Sequence, residues 1–241
     1  MEKAPLKSFA FHKSRPLDPA QLSEVYQTLW KAFGHQRWWP GDTPFEIIVG
    51  AILTQNTSWT NVEKAIRNLK AAKKLSPAAL HKISHEELAR LIKPSGYFNL
   101  KAGRLKNFIH FLFTEFQGDL NVLFREEGTI LREKLLSVKG IGPETADSIL
   151  LYAGEKPFFV IDAYTRRIFS RHRLRVTSSD QRLNRHLSAM SYQDWQKVFQ
   201  DALPPDVALY NDFHAQIVML AKKHCRKSRP DCTTCPLKHH L

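Results

Sequence analysis

The sequence predicts an all-α protein, on three observations. Apolar residues recur at three- and four-residue spacing along most of the 241 residues, the period of a helix with one buried face. The alternation of apolar and polar residues that marks a half-buried strand is essentially absent. Between the periodic stretches stand Ser, Pro and Gly, in places where they start and stop helices. A hydrophobic content of 43% supports one sizeable core or two modest ones that share an interface.

Each element follows from its own residues. Pro19 to Phe33 carries Leu22, Val25, Leu29 and Phe33 on one face, and Pro44 to Thr54 is almost wholly apolar, as a core helix is. Asn61 to Ala72 continues amphipathically. Ser84 followed by Glu87 is a capping-box pattern that opens another helix, and Pro94-Ser95-Gly96 closes it. Further helices are expected at 99–116, 128–136, 143–153, 163–172, 180–188, 191–201 and 206–223. No unit of the chain repeats and no segment is low in complexity, which argues against solenoids and long linkers.

Charge narrows the partner. Lys and Arg number 36 against 23 Asp and Glu, a formal net charge of +13, spread along the chain rather than held in one tail. Such a balance points to a polyanion, and nucleic acid is the natural one. The N-terminus has no apolar h-region and no later stretch approaches the length of a membrane span, so a cytoplasmic protein with no membrane role is expected. All three cysteines, Cys225, Cys232 and Cys235, fall in the last seventeen residues, a poor disulfide framework and a good metal-ligand cluster.

Two stretches carry chemistry. Between the helical patterns ending at Val138 and beginning at Pro143 stand only Lys139-Gly140-Ile141-Gly142. Gly140 and Gly142 permit backbone angles that side chains forbid, and Pro143 suits a first helical turn. Free N–H groups at such a turn favour an anion, here a backbone phosphate. By itself the motif is equally an ordinary helical hairpin with a glycine cap. Asp162 ends the apolar run Phe158 to Ile161 and stands where a helix N-cap belongs. Upstream, Trp38, Trp39 and Pro40 precede the first core helix and Trp59 follows it, among the polar residues Gln55, Asn56, Ser58 and Thr60. A tryptophan packed only for burial is rarely so surrounded.

LLSVKGIGPETADSIL followed by PFFVIDAYTRRIF resembles the helix-hairpin-helix, Gly/Pro-rich loop and aspartate of the endonuclease III superfamily of DNA glycosylases. The resemblance extends through FEIIVGAILTQNTSWTNVEKAI, PSGYFNLKAGRLKNFI and the cysteine tail, from about residue 40 to 237. It implies two helical domains with a DNA-binding cleft between them, residues 42–156 against 1–41 plus 157–241. It also implies double-stranded DNA as the partner, a monomer, and no small-molecule substrate. Asp162 matches the family's catalytic aspartate, whose carboxylate stabilises the oxocarbenium-like sugar left when the glycosidic bond breaks and can orient the attacking water.

Bifunctional members of the family carry a lysine two positions after the second hairpin glycine, and here that position holds Glu144. A carboxylate forms no Schiff base, so the expected enzyme is monofunctional, with Glu144 as a second candidate catalytic group and Lys139 in the phosphate-binding hairpin. The WWP, QNTxW and PSG-Y-F-N patterns are similar to the 3-methyladenine glycosylase branch. By that similarity Trp38 and Trp59 sandwich a flipped alkylated purine, Trp39 and Pro40 stand beside it, and Gln55 or Asn56 fills the gap it leaves. Tyr97, Asn99 and Lys101 match the family too, and read equally well as loop and helix-start residues. Two alternatives stand: an endonuclease III-type glycosylase/lyase on oxidised pyrimidines, which needs the missing lysine, and a non-catalytic DNA-binding module, which leaves Asp162 and the tryptophans unexplained.

The spacing Cys225-x6-Cys232-x2-Cys235 agrees with the family's iron-sulfur loop up to its fourth ligand, whose place six residues on is Leu241. The resemblance implies a 4Fe-4S cluster completed by His239, His240, a solvent species or nothing, with zinc on three thiolates and one histidine, or no metal, as alternatives. Arg226, Lys227 and Arg229 in that loop would lie against DNA phosphate.

Overall fold

A computed structural model describes residues 19–172 and 189–240; the helix expected at 180–188 lies outside them. The described residues form twelve α-helices and short 3-10 and π segments, with no strand among them. In chain order these are α1 (Pro19–Phe33), α2 (Pro44–Leu53), α3 (Trp59–Ala71), α4 (Pro77–Lys82), α5 (His85–Leu91), α6 (Phe98–Phe116), α7 (Leu120–Arg125), α8 (Gly128–Ser137), α9 (Pro143–Ser148), α10 (Ala163–Arg171), α11 (Tyr192–Ala202) and α12 (Val207–Lys223). None is long and apolar enough to cross a membrane.

Local chemistry sets most boundaries. Thr43 accepts from Glu46 N, with Pro44 in the first turn, and Ser84 accepts from Glu87 N at 3.1 Å. A reciprocal capping box is present at Ser191 and Asp194, where α11 begins. α3 starts at Trp59, two residues before the expected Asn61, because Ser58 already has the extended backbone of an N-cap. The six-residue helices α4 and α7 escape a periodicity reading, since less than two turns shows no stripe.

Two hydrophobic cores result. One draws its residues from Phe45 to Ala153, on α2 to α9. The other joins α1, the extended stretch Phe159–Ile161 and α10 to α12 around Phe159, Phe169, Phe199 and Phe213, with Phe159 and Phe199 stacked at 4.3 Å. The seam between them runs through the π segment Ile149–Ala153 that continues α9. There Ile149, Leu150 and Ala153 pack into the first core, while Leu151 and Tyr152 pack into the second.

A buried polar clamp locks this seam. Arg132 on α8 makes two bonds to Asp147 on α9, at 2.6 and 3.1 Å. Gln196 on α11 donates both to Asp147, at 2.7 Å, and to the Phe159 carbonyl, at 2.8 Å. The hairpin α8–α9 is thereby held to the second core through satisfied groups, the condition under which buried charge is tolerated.

Candidate active site

A cavity of about 350 Å³ opens at the seam, lined from both cores. Trp59, packed against the first core, and Trp38 and Trp39, packed against the second, all face it. Trp39 stands edge-on to both others, with ring centroids 5.4 Å from Trp38 and 5.2 Å from Trp59. Gly50 on α2 makes this approach feasible: a Cβ there would lie 3.3 Å from Trp39 Nε1 and 3.5 Å from the Trp59 ring. Trp59 Nε1 donates to Glu63 at 2.7 Å, whereas Trp39 Nε1 is buried without a hydrogen-bond partner.

The loop that carries Trp38 and Trp39 is anchored by α12. Buried Asp212 accepts from Tyr26 Oη at 3.0 Å and from Gln36 N at 3.3 Å, and Gln216 Nε2 donates to the Gly34 carbonyl at 2.7 Å. The expected substrate contact Pro40 departs from its companions. It does not line the cavity but stands exposed in a neighbouring groove with Asp42, Glu63 and Lys70, where the chain has already turned toward Gly41 and α2.

Both candidate carboxylates reach the cavity. Asp162 is the N-cap of α10, and its Oδ1 accepts from Thr165 N at 2.7 Å and Thr165 Oγ1 at 3.0 Å. Its Oδ2 lies 3.6 Å from His214 Nε2. Burial by itself would raise the Asp162 carboxyl, but His214 and the Thr165 bonds outweigh it and hold the group below its ordinary value. Glu144, in the first turn of α9, behaves oppositely. Burial first, and then the Asp162 charge, push it up to about 7, against the opposing pull of His214 and Arg166. More than a third of its surface is open to solvent, yet the cleft walls around it displace much of the surrounding water. Two neighbouring carboxylates whose environments drive them apart are what a divided acid-base task requires.

The hairpin places its residues unequally. Gly140 has φ +98°, and a Cβ there would fall 2.4 Å from Arg104 Cγ, so this position needs glycine. Gly142 does not share the requirement. Its backbone is extended, with φ −94° and ψ 177°, as the N-cap of α9, a conformation open to any residue, and a Cβ would meet nothing within 4 Å. What its lack of a side chain leaves is open surface. Lys139 is exposed at the tip, and its carbonyl is held by Asn107 Nδ2 at 2.8 Å.

Gln55 and Asn56 part company. Gln55 is occupied by the fold: its Nε2 donates to the Gly140 carbonyl at 3.1 Å and to Thr145 Oγ1 at 2.9 Å, and Arg104 bonds its Oε1. Asn56 is exposed with φ +55°. Tyr97, 71% exposed with φ +45°, shares both traits. Lys101 is a strut: it is 1% exposed, with Nζ on the Leu53 and Ser95 carbonyls at 2.9 and 2.6 Å.

The cysteines lie apart from the cavity, behind α10. Cys225 and Cys235 are buried and Cys232 is exposed. Burial, foremost, pushes the Cys235 thiol up. Among the described residues no three His, Cys, Asp or Glu side chains converge where a metal ion could sit. Leu241 stands at the place of the family's fourth thiol, and the Cys225 and Cys232 thiols lie near enough to Cys235 to add to its rise. The loop is braced by protein bonds. Arg167 Nε donates to the Cys225 carbonyl at 2.8 Å, and Arg171 to the Arg226 and Lys227 carbonyls at 2.7 and 2.8 Å. Those bonds use the backbone of the basic loop, whose Arg226, Lys227 and Arg229 are exposed.

Residue reasoning missed one face of α12. His214, Val218 and Lys222 all line the cavity, four residues apart and so on a single stripe, which was the available signal. Tyr152 stands behind it, its hydroxyl 2.6 Å from His214 Nδ1.

Comparison with known proteins agrees with this geometry. Residues 49–191 match the HhH-GPD superfamily of base excision DNA repair proteins. A putative DNA repair glycosylase of Methanocaldococcus jannaschii is 44% identical over 218 residues, 90% of this chain and 94% of that one. An endonuclease III–DNA complex shares the fold, with a TM-score of 0.75 and 20% identity over 93% of this chain and 95% of its own. The 3-methyladenine DNA glycosylase of H. pylori, solved with 1,N6-ethenoadenine bound, is 30% identical over 86% of this chain and 98% of that one, with a TM-score of 0.65. The matched region contains the hairpin and both carboxylates, and the chain belongs to the HhH-GPD superfamily of base excision DNA repair proteins, as a DNA repair glycosylase.

Proposed function

We propose that the protein is a monofunctional glycosylase that flips alkylated purines from double-stranded DNA into this cavity and hydrolyses their glycosidic bond. The observation that carries the reading is the cavity itself: three tryptophans face the same space as Asp162, and the α9 position beside it holds Glu144 in place of an amine. A flat base stacks on indole faces, and a base made cationic by alkylation adds about 0.5–2 kcal/mol of cation–π attraction. The unpartnered Trp39 Nε1 offers a donor to a purine acceptor. The H. pylori relative, a 3-methyladenine DNA glycosylase solved with 1,N6-ethenoadenine, supports the same substrate class.

Lys222 qualifies this picture. Its Nζ stands 5.7 Å over the Trp38 ring, so a cationic base entering there exchanges one cation for another. The labour of the two carboxylates then divides. Asp162, held low, stays ionised and stabilises the oxocarbenium-like sugar, while Glu144, near 7, takes the proton of the attacking water. An alkylated purine is a good leaving group and requires no strong acid. Asn56 and Tyr97, exposed in strained left-handed backbone, are the residues read as entering the duplex, with Gln55 bracing the hairpin behind them.

The test is single-turnover excision on duplexes containing 3-methyladenine, 7-methylguanine, thymine glycol and mismatches, each read with and without alkali. Release of the alkylated purines, with strand breaks only after alkali, is expected. Efficient excision of thymine glycol with borohydride-trappable protein would sink the proposal.

A further inference from the structure

We infer that His214 is a positioning residue for the reaction, donating from Nε2 to Asp162 Oδ2 and holding the carboxylate in one charged, fixed pose beside the sugar. The inference rests on the glycosylase reading of the cavity and assigns a task to a side chain that reading leaves unused.

Three observations converge. His214 is 4% exposed, and its Nε2 is buried without a hydrogen-bond partner, an arrangement that costs about 1–3 kcal/mol where nothing answers it. That nitrogen lies 3.6 Å from Asp162 Oδ2, slightly beyond bonding distance, and sites of this kind tighten when substrate is bound. Oδ1 already accepts from Thr165 N and Oγ1, which leaves Oδ2 as the oxygen with room for a further donor, and His214 stands opposite it.

The other ring nitrogen decides where the proton sits. Tyr152 Oη is 2.6 Å from Nδ1, and burial, with Asp162 next in weight, pushes the Tyr152 hydroxyl well above its ordinary range. A phenol that keeps its proton donates it to Nδ1, and the ring proton is left on Nε2, aimed at Asp162. The other charged and titratable groups facing this point are Glu144 from α9, Lys222 from α12, and Tyr164 and Arg166 from α10 itself. Among the described residues His214 is the basic side chain that pairs with Asp162, through Oδ2.

This arrangement separates the two carboxylates by task. A carboxylate whose oxygens both accept hydrogen bonds is a poor base and a good fixed anion. His214 thus confines Asp162 to stabilising the cation and leaves water activation to Glu144.

The test has two parts. Long-range 15N–1H correlation on the full chain, with labelled histidine, reads the His214 ring directly and does not depend on activity. A proton on Nε2 at pH 7 is expected, and a bare Nε2 would overturn the inference. Single-turnover excision against pH is then compared for wild type, His214→Gln, whose amide can donate from a similar place, and His214→Leu. The Leu variant should lose roughly 10²-fold or more, with its acid limb moved to higher pH, while Gln stays within about tenfold of wild type and keeps the limb. Equal rates and an unmoved limb in both variants would also overturn it. A wild type that excises no alkylated purine would instead defeat the glycosylase reading, and the nitrogen measurement would still decide His214.

Discussion

Lys101 and His214 are both polar residues buried in an apolar setting, one in each half of the molecule, and they differ in how far they are satisfied. Lys101 donates to two carbonyls, one of them at the C-terminal end of α2, and does not line the tryptophan cavity. His214 has one nitrogen on Tyr152 and the other aimed across 3.6 Å at Asp162 in an open cavity. A saturated buried group is a strut, since nothing remains for a ligand to offer it. A half-saturated one beside a cavity is held in readiness, and the unmade bond marks where chemistry occurs.

The comparison is sharpened most by Asp162→Asn. Excision should fall about 10²–10⁴-fold while duplex affinity and Tm stay close to wild type, because Asn still caps Thr165 but lacks the charge. Near wild-type excision in a quenched-flow assay would reduce Asp162 to a cap. Lys101→Met should do the reverse. It leaves the Leu53 and Ser95 carbonyls unpaired and should cost about 2–4 kcal/mol in denaturant unfolding, with little change in rate per folded molecule. An unchanged midpoint would remove the distinction between strut and site.

Glu144→Gln tests the divided carboxylates through pH. In the native protein the group sits near 7, above its ordinary carboxylate value, so the unfolded chain releases this proton first and folding is disfavoured as pH rises from about 4.5 through 7. Gln removes that penalty. Scaled down for solvent screening, the gain at pH 8 should be about 1 kcal/mol, or about 2–4 °C in Tm, and should vanish below pH 4.5. The same substitution should abolish the rise in excision rate through pH 7, and a persisting limb there would assign the base elsewhere. A smaller effect is expected of Lys222→Met, which should raise excision of cationic 7-methylguanine relative to a neutral ethenoadenine lesion by several-fold. The smallest belongs to the exposed Cys232: Cys232→Ser should leave stability within about 0.5 kcal/mol, and a large loss accompanied by loss of bound iron or zinc would show that the tail holds metal.

Much of the helical framework can be read from local residues. α1 ends at Phe33 as its apolar stripe requires, α8 and α12 differ from expectation by a residue at one end, and α11 lies one residue later at both ends. The hairpin, Asp162 as an N-cap and the bracketing tryptophans were also evident, because each is a short-range pattern of backbone demand or polarity. His214 was not. Its significance arises from Asp162, fifty-two positions away, and from Tyr152 on a π turn that no periodicity announces.

The amino-acid sequence by itself determined the all-α class, the basic surface, the glycine at 140, the missing hairpin amine and the presence of a capping carboxylate at 162. All of these depend on side-chain type and on interactions within a turn or two. The tertiary structure alone decided that Gln55 braces the hairpin while Asn56 is exposed, that Pro40 leaves the pocket, and that Gly142 needs no special backbone. It alone also drove two carboxylates to opposite sides of their ordinary values. The physical reason is that desolvation and hydrogen-bond satisfaction are properties of a place, and the place is made by segments that meet only when both cores have closed around the seam.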